Sequence, residues 1–543
     1  MIEKLADDLR PEKYTSLVQV FEFIVNEHSE LPAFSCYSRT LSYAEVDDLS
    51  NRFAHYLQNH TALNPGDRIA IQLPNVLQFP VAFYGAEKAG LIVVNTNPLY
   101  TPTEMCHQFR DSGVKAIVIL ASFCAKLEEV IADTSIETVI VTQLGDLQKP
   151  LRRLLLNFGA KYIKKVVPEY HLPGSVGFKL AVRSPANYSK DVNRGAADDV
   201  ALILYTGGTT GSAKGAMLSH RNLIANMMQL RCRCLLVIED KIESIVAPLP
   251  LYHSYAFLLH CLVLPYGGNH NILVTNPGDS DGLVEILKKT PFTGFVGINT
   301  LYLALLNHNK ITSVDFRKLK FCGAGGMAMT TSVAKQWKQL TGCEVIEGYG
   351  LTECSPVVSV NIPGKVKLGT VGPLVPETEI RIVDDAGRDV TAGEKGELWV
   401  RGPQVMCGYW QQPQATAETI TDDGWLKTGD YAQLDEDNYL SIVDRKKDMI
   451  LVSGFNVFPN EIEDWVCSHP QVLECAAIGV ANERSGESVK LFVVCKDGDT
   501  DQEELIKHCK KGLAAYKIPK EVVFVAELQK SNIGKILRRE LRE

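Results

Sequence analysis

Short β-branched runs alternate with segments of helical apolar spacing through the first three hundred or so residues, and this rhythm restricts the chain to parallel α/β layers. Leu41 to Leu57 carries helical spacing after Ser42. Asp67 to Leu73 reads as a strand running into a loop at Pro74 and Asn75, with a helix through Phe83 to Ala89. Val114 to Leu120, Thr138 to Thr142, Ile245 to Pro248, Gly294 to Val296 and Leu319 to Cys322 continue the series. So many strands predict more than one sheet. After Gly372 the pattern shifts to short alternating strands at Glu379 to Val383, Gly396 to Arg401 and Tyr439 to Val443. The charged run Asp444 to Asp448 then predicts a tether between two bodies, with about one hundred residues left for a small α+β domain. The expected division is 1–444 and 445–543.

A chain of 543 residues with 45% hydrophobic and 22% charged side chains has material for a large soluble body. Its net charge of −8 gives no general reason to expect a nucleic-acid partner. The fourteen cysteines show no paired CxxC spacing, which reads as scattered reduced thiols in a cytosolic protein. The start, MIEKLADDLRPEKY, lacks an apolar core of secretory length, and no run of eighteen apolar residues supports a membrane span. The segment Leu151 to Val167 interleaves basic and apolar residues; it fits a membrane-surface helix or an ordinary surface helix whose lysines cover apolar neighbours.

Several stretches carry chemistry. YTGGTTGSAKG at 205–215 places four glycines, the hydroxyls of Thr206, Thr209, Thr210 and Ser212, and the ammonium of Lys214 directly after an apolar run. Backbone N–H groups freed to turn by Gly207, Gly208 and Gly211 suit phosphate oxygens, although the order of residues is not that of a P-loop, and a flexible surface turn has the same composition. In GYGLTE, a hydroxyl at Thr352 and a carboxylate at Glu353 suit phosphate and Mg²⁺, or simply a strand-to-helix turn with a capping threonine. His253 is expected at the end of a buried strand, where it can position a carboxylate or serve as a structural histidine. Asp430 is expected in a turn. Lys535 follows Gly534 in a polar turn with Ser531 and Asn532, before an expected amphipathic helix from Ile536; a solvated basic tail is the alternative, and the stronger reading for Arg538, Arg539 and Arg542.

Taken together, the glycine-rich loop, PLPLYHSYA at 248–256, GAGGM at 323–327, GYGLTE at 348–353, TGD at 428–430, DRKKDMI at 444–450 and SNIGKILRREL at 531–541 occur in the order found in the adenylate-forming superfamily of acyl-CoA synthetases. The chain resembles that family over nearly its whole length, and most closely its bacterial long-chain fatty-acid CoA ligases. The resemblance implies a large N-terminal domain of stacked mixed sheets with flanking helices and a distorted small barrel, followed by a small mobile α+β domain. It implies ATP-dependent conversion of a fatty acid to an acyl-adenylate, then to a CoA thioester, with AMP and pyrophosphate released. It places Lys535 at adenylation, Thr206 and Thr352 on phosphate oxygens, Glu353 on Mg²⁺, and His253 between the acyl and adenylate sites. Asp430 with Arg445 is placed on the ribose, and Tyr349 with Gly348, Gly350 and the Gly323–Ala324–Gly325 backbone around adenine. Lys447 matches the hinge position. The chain departs from the usual form at Gln529, where a proline often precedes the lysine corresponding to Lys530. Expected partners are a fatty acid, ATP and CoA, with contact to the inner face of the cytoplasmic membrane and a homodimer as further expectations. A CoA ligase for an aromatic acid and a non-catalytic fatty-acid or nucleotide-binding protein are the competing readings.

Overall fold

The structure, a computed structural model, describes residues 3–190, 195–206, 213–391, 393–482, 484–496, 501–531 and 534–542. Two eight-stranded sheets carry most of the chain. In the first, Val200–Thr206, Ile92–Asn95, Arg68–Gln72, Ala116–Leu120, Thr138–Thr142 and Val176–Gly177 run parallel. Lys214–Ser219 and Gly408–Tyr409 extend that sheet antiparallel at the opposite edge. In the second sheet, Val345–Gly350, Phe321–Ala324, Gly294–Gly297, Ser244–Ala247, His270–Leu273 and Pro32–Cys36 run parallel, closed at each end by an antiparallel strand. The predicted strand–helix rhythm thus resolves into two layers of mostly parallel strands.

Three helical segments are covered on nearly every side, so the polar side chains they carry must find partners inside the protein. Every residue of the Gln78–Lys88 helix is buried, as are nearly all of His220–Cys234 and all of the helical turn Leu258–Val263. These segments share one core with residues of both large sheets, including Ile71, Val93, Leu204, Ile245 and Val296. Lys88 is tolerated there because its ammonium reaches Asp47, Ser50 and Asn51 at 2.6–2.7 Å. The start of the Tyr43–Asn59 helix follows its sequence signal: Ser42 and Glu45 form a reciprocal capping box.

Glu379–Val383, Gly396–Arg401, Leu426–Leu434 and Leu440–Arg445 form a four-stranded antiparallel sheet, linked back through a Gly372–Leu440 bridge. The last sheet contains Phe455–Val457, Ile450–Val452, Gly486–Cys495, Val472–Asn482 and Glu521–Phe524. It has its own core around Ile450, Ile462, Val466, Leu491, Val493 and Leu505. The chain passes from one sheet to the other between Arg445 and Ile450, within and just past the expected tether.

Candidate active site

A cleft of about 2040 Å³ opens between the two bodies and is lined by both. On its large-domain side Tyr349, in the strand Val345–Gly350, donates its hydroxyl to Asp430 Oδ2 at 2.5 Å. Asp430 lies within the strand Leu426–Leu434, not in the predicted turn, because its backbone pairs with Arg445 across the sheet. That cross-strand pairing sets Arg445 Nε 3.6 Å from Asp430 Oδ1. Burial pushes the Asp430 carboxyl upward against the pull of Arg445. A buried carboxylate with one phenol donor and one guanidinium is suited to accept further hydroxyl donors. Gly350 is required for this wall: a Cβ there would lie 2.0 Å from the Pro356 carbonyl oxygen.

Lys535 enters the same cleft from the small domain. Its loop is closed by Ser531 N donating to Lys535 O at 2.6 Å and by Lys535 N donating to Ser531 Oγ at 3.1 Å. Gly534 has a φ of +79°, and a Cβ on it would fall 2.5 Å from Ile298 Cδ1 and 2.8 Å from Thr300 Oγ1. The loop therefore touches the large domain through a residue that has no room for a side chain. Burial lowers the Lys535 ammonium to about 8, with the nearby Arg445 charge adding to the effect and Asp430 opposing it. His253, pushed down to about 4 by burial and then by the Lys535 charge, is neutral beside it.

The other predicted site residues fall into clear groups. The strand before His253 ends at Ala247, and His253 is the N-cap of a short helix, its Nδ1 accepting from Tyr255 N at 3.4 Å. It is not the strand-end residue predicted, because Pro248 and Pro250 break the strand first. Thr352 opens a 3₁₀ turn after Leu351, with its Oγ1 3.4 Å from Ser254 Oγ. Glu353 follows, its Oε1 accepting from Tyr409 OH at 2.8 Å. Thr206 and Lys214 pair across adjacent strands at the cleft edge. Lys214 Nζ lies 5.1 Å from the centre of the Tyr409 ring. Gly207, Gly208, Thr209, Thr210 and Gly211, with Ser212, lie outside the described residues. Gly323, Gly325 and Gly348 line the cleft, whereas the Ala324 side chain packs into the core beneath it.

At the junction, Lys446 is fixed to the large domain: its N–H donates to Gly429 O at 2.9 Å and its Nζ reaches Glu397 at 3.0 Å and Asp385 at 3.2 Å. Asp448 belongs to the other side, paired with Arg542 at 3.1 Å and Arg538 at 3.6 Å. Lys447 is exposed between these two anchors. Arg538 is not the solvated tail residue predicted. It is mostly buried, bonding Glu463 at 2.8 Å and Asn460 at 2.7 Å, with Asp444 at 3.5 Å. Arg542 is likewise paired, while Arg539 is exposed and reaches its neighbour Glu540. The expected helix after Lys535 is reduced to a 3₁₀ turn, Arg538–Leu541, because Lys530 and Ile536 bridge and hold the chain extended.

Two cleft residues escaped sequence reasoning. Tyr409 orients Glu353 from fifty-six positions away, and nothing local in its sequence signals that contact. Glu347 accepts from Met329 N at 2.8 Å and is pushed up to about 8 by burial; a carboxylate one residue before GYGLTE is the signal that was available.

Matches to known proteins agree with this architecture. Residues 21–410 match the AMP-binding enzyme family and residues 461–535 match the AMP-binding enzyme C-terminal domain. The chain belongs to the AMP-binding enzyme family. It is 49% identical to a long-chain-fatty-acid–CoA ligase of Salmonella typhimurium, covering 99% of this chain and 96% of that one. It is 35% identical to a long-chain-fatty-acid–CoA ligase of Bacillus subtilis, covering 94% and 91%. Among solved structures, ATP-bound MatB from Rhodopseudomonas palustris superposes with a TM-score of 0.81 at 27% identity, covering 97% of this chain and 98% of that one. An anthranilate CoA ligase in complex with anthranoyl-AMP shares the fold, with a TM-score of 0.88 at 24% identity over 98% of both chains.

Proposed function

We propose that this protein activates a medium- or long-chain fatty acid with ATP and transfers the acyl group to CoA. The observation carrying the proposal is the meeting of Lys535, on one body, with the Tyr349–Asp430–Arg445 group on the other. In the first half-reaction a carboxylate oxygen attacks the α-phosphorus, and pyrophosphate leaves. Lys535 offsets the negative charge that builds on the carboxylate and phosphoryl oxygens, and the burial that lowers its ammonium makes a fixed charge there more effective. Asp430 accepts the ribose hydroxyls while Arg445 and Tyr349 hold it in place. Thr206, Lys214, Thr352 and the 207–211 loop take the phosphate side, and neutral His253 orients the carboxylate. Glu353 would hold Mg²⁺: a single carboxylate oriented by a phenol suits an ion whose remaining ligands are phosphates and water. Bound there, Mg²⁺ would supply neutralisation of phosphate charge.

In the second half-reaction the CoA sulfur attacks the acyl carbonyl, AMP leaves, and the thiol proton is lost to solvent. Once the adenylate has formed, Lys535 has no further role at the acyl carbonyl, and the small domain that follows Lys447 rotates about that residue to withdraw it and admit the thiol. The test is product analysis: fatty acid, ATP and CoA should yield AMP, pyrophosphate and acyl-CoA. ADP without AMP overturns the proposal. A panel of C6 to C18 acids against benzoate and coumarate, compared by kcat/KM, separates it from an aromatic-acid ligase.

A second element of the proposal is contact with an anionic membrane face. Among the described residues no helix is long and apolar enough to cross a membrane. The Pro150–Phe158 helix and the Gly159–Ile163 turn instead lie outside the core, with Leu151 and Ile163 at least 70% exposed. No acidic residue occurs between Asp146 and Glu169, whereas Lys149, Arg152, Arg153, Lys161, Lys164 and Lys165 do. This is the composition of a helix lying in a lipid interface. Co-sedimentation with phosphatidylglycerol vesicles should be lost in Leu154→Glu; retention refutes it.

A further inference from the structure

The small domain carries a pair of thiols on the cleft wall that the ligase reaction does not use. Cys467 ends the Pro459–Val466 helix and Cys475 lies in the strand Val472–Asn482. Their sulfurs are 3.6 Å apart, Cys467 is half-buried and Cys475 is buried. Both line the cleft, so a small solute in it reaches Cys467 first.

The pair is joined to the Lys535 loop through one residue. The Glu463 carbonyl accepts from Cys467 N at 2.8 Å and from Cys475 Sγ at 3.6 Å. The Glu463 carboxylate accepts from Ala477 N at 2.8 Å and from Arg538 at 2.8 Å. Arg538 lies three residues beyond Lys535. A disulfide brings its sulfurs to about 2.0 Å. Closing the gap removes the Cys475 donor from Glu463 and pulls on the end of the helix that presents Glu463 to Arg538.

We propose that Cys467 and Cys475 form a reversible oxidation site for small hydroperoxides, whose disulfide form slows adenylation by disturbing the Glu463–Arg538 contact. The Cys467 thiol loses its proton and its sulfur attacks the peroxide oxygen; the O–O bond breaks, the sulfur becomes a sulfenic acid, and the leaving hydroxide or alkoxide takes up a proton as the first water or an alcohol. Cys475 sulfur then attacks the sulfenic sulfur and loses its proton, and hydroxide leaves as the second water. Two thiols supply two electrons, and the peroxide O–O bond is cleaved.

The full chain, reduced and freed of reductant, is treated with hydrogen peroxide, alkylated and digested. The expected product is a linked Cys467–Cys475 peptide, two hydrogens lighter than the free pair and separated by dithiothreitol. Pyrophosphate release should fall at least about threefold on linkage and recover with dithiothreitol, an effect of positioning on the lysine loop. Cys467→Ser should retain the reduced protein's rate and resist the peroxide. Over-oxidation of Cys467 without linkage, or linkage of Cys475 to Cys509, overturns the proposal. So does a linked protein with an unchanged rate. The rate measurement rests on the ligase reading, whereas the peptide map does not. A reduced protein that releases no pyrophosphate therefore counts against the ligase reading, while the map still decides whether the disulfide forms.

Discussion

Raising the pH through 8 should switch off adenylation in the intact protein, because the Lys535 ammonium is held at about 8 by burial and by Arg445. Such a group is about 90% charged at pH 7 and about 10% charged at pH 9, so kcat/KM for ATP should fall roughly tenfold across that interval. Bound triphosphate stabilises the ammonium. The profile of kcat should therefore lie at higher pH than that of kcat/KM. Folding does not account for the loss: a lysine whose folded value lies below its unfolded 10.5 costs stability while charged, and that cost disappears as pH rises from 8 towards 10.5. His253, near 4, is neutral throughout the interval. Glu347 is the competing group, since it is also held near 8 and gains negative charge as Lys535 loses its positive one. The assay is initial-rate pyrophosphate release from pH 7 to 9.5, with far-ultraviolet circular dichroism as the folding control and Glu347→Gln as the comparison. A kcat/KM that stays flat to pH 9.5 in folded protein refutes the reasoning, as does a step that vanishes in Glu347→Gln.

Gly534→Ala forces a side chain at φ +79° against Ile298 and Thr300; a cost of about 1–3 kcal/mol, borne by the loop letting go of the large domain, should slow pyrophosphate release roughly 5- to 150-fold with little change in melting temperature. Asp430→Asn removes the charge bound by Tyr349 and Arg445, and should weaken nucleotide binding by roughly 10- to 100-fold in titration calorimetry. Arg538→Met leaves Glu463, Asp444 and Asp448 without their shared cation. A local cost of about 3–5 kcal/mol should appear as faster hydrogen exchange across 534–542 and a lower adenylation rate. Lys447→Pro should reduce thioester formation from supplied acyl-adenylate more than it reduces adenylate formation, with the two half-reactions measured separately.

The elements that sequence revealed were those fixed by local pattern. The helix after Ser42, the β-branched run Thr138–Thr142 and the alternating strands Glu379–Val383 and Gly396–Arg401 appear where their spacing puts them. What escaped depends on partners distant in the chain. Asp430 is in a strand because of Arg445, fifteen residues away. Arg538 looks like part of a basic tail until Asp444 and Glu463 fold around it. The apolar stretch at 258–263 has no polar face in its sequence to show which side meets a cavity. It is buried on every side, and of its residues only Leu259 lines the cleft. The site motifs were legible because glycines, hydroxyls and charges cluster locally. Their mutual distances were not, because two bodies supply them.

If the small domain rotates about Lys447 as proposed, the anchoring of Lys446 and Arg445 to the large domain determines what survives the motion. A pivot at Lys447 leaves Asp430, Arg445 and Tyr349 together, since all three precede it and are held by the strands of one body. The Lys535 loop and Arg538 depart together, as both follow it. The reactive mixed anhydride would then stay gripped by its nucleotide end while its acyl end is handed from lysine to thiol. On that proposal the interval in which water can destroy the intermediate would be confined to the swing itself, and leakage of free acyl-AMP would measure how firmly those two strands hold their register.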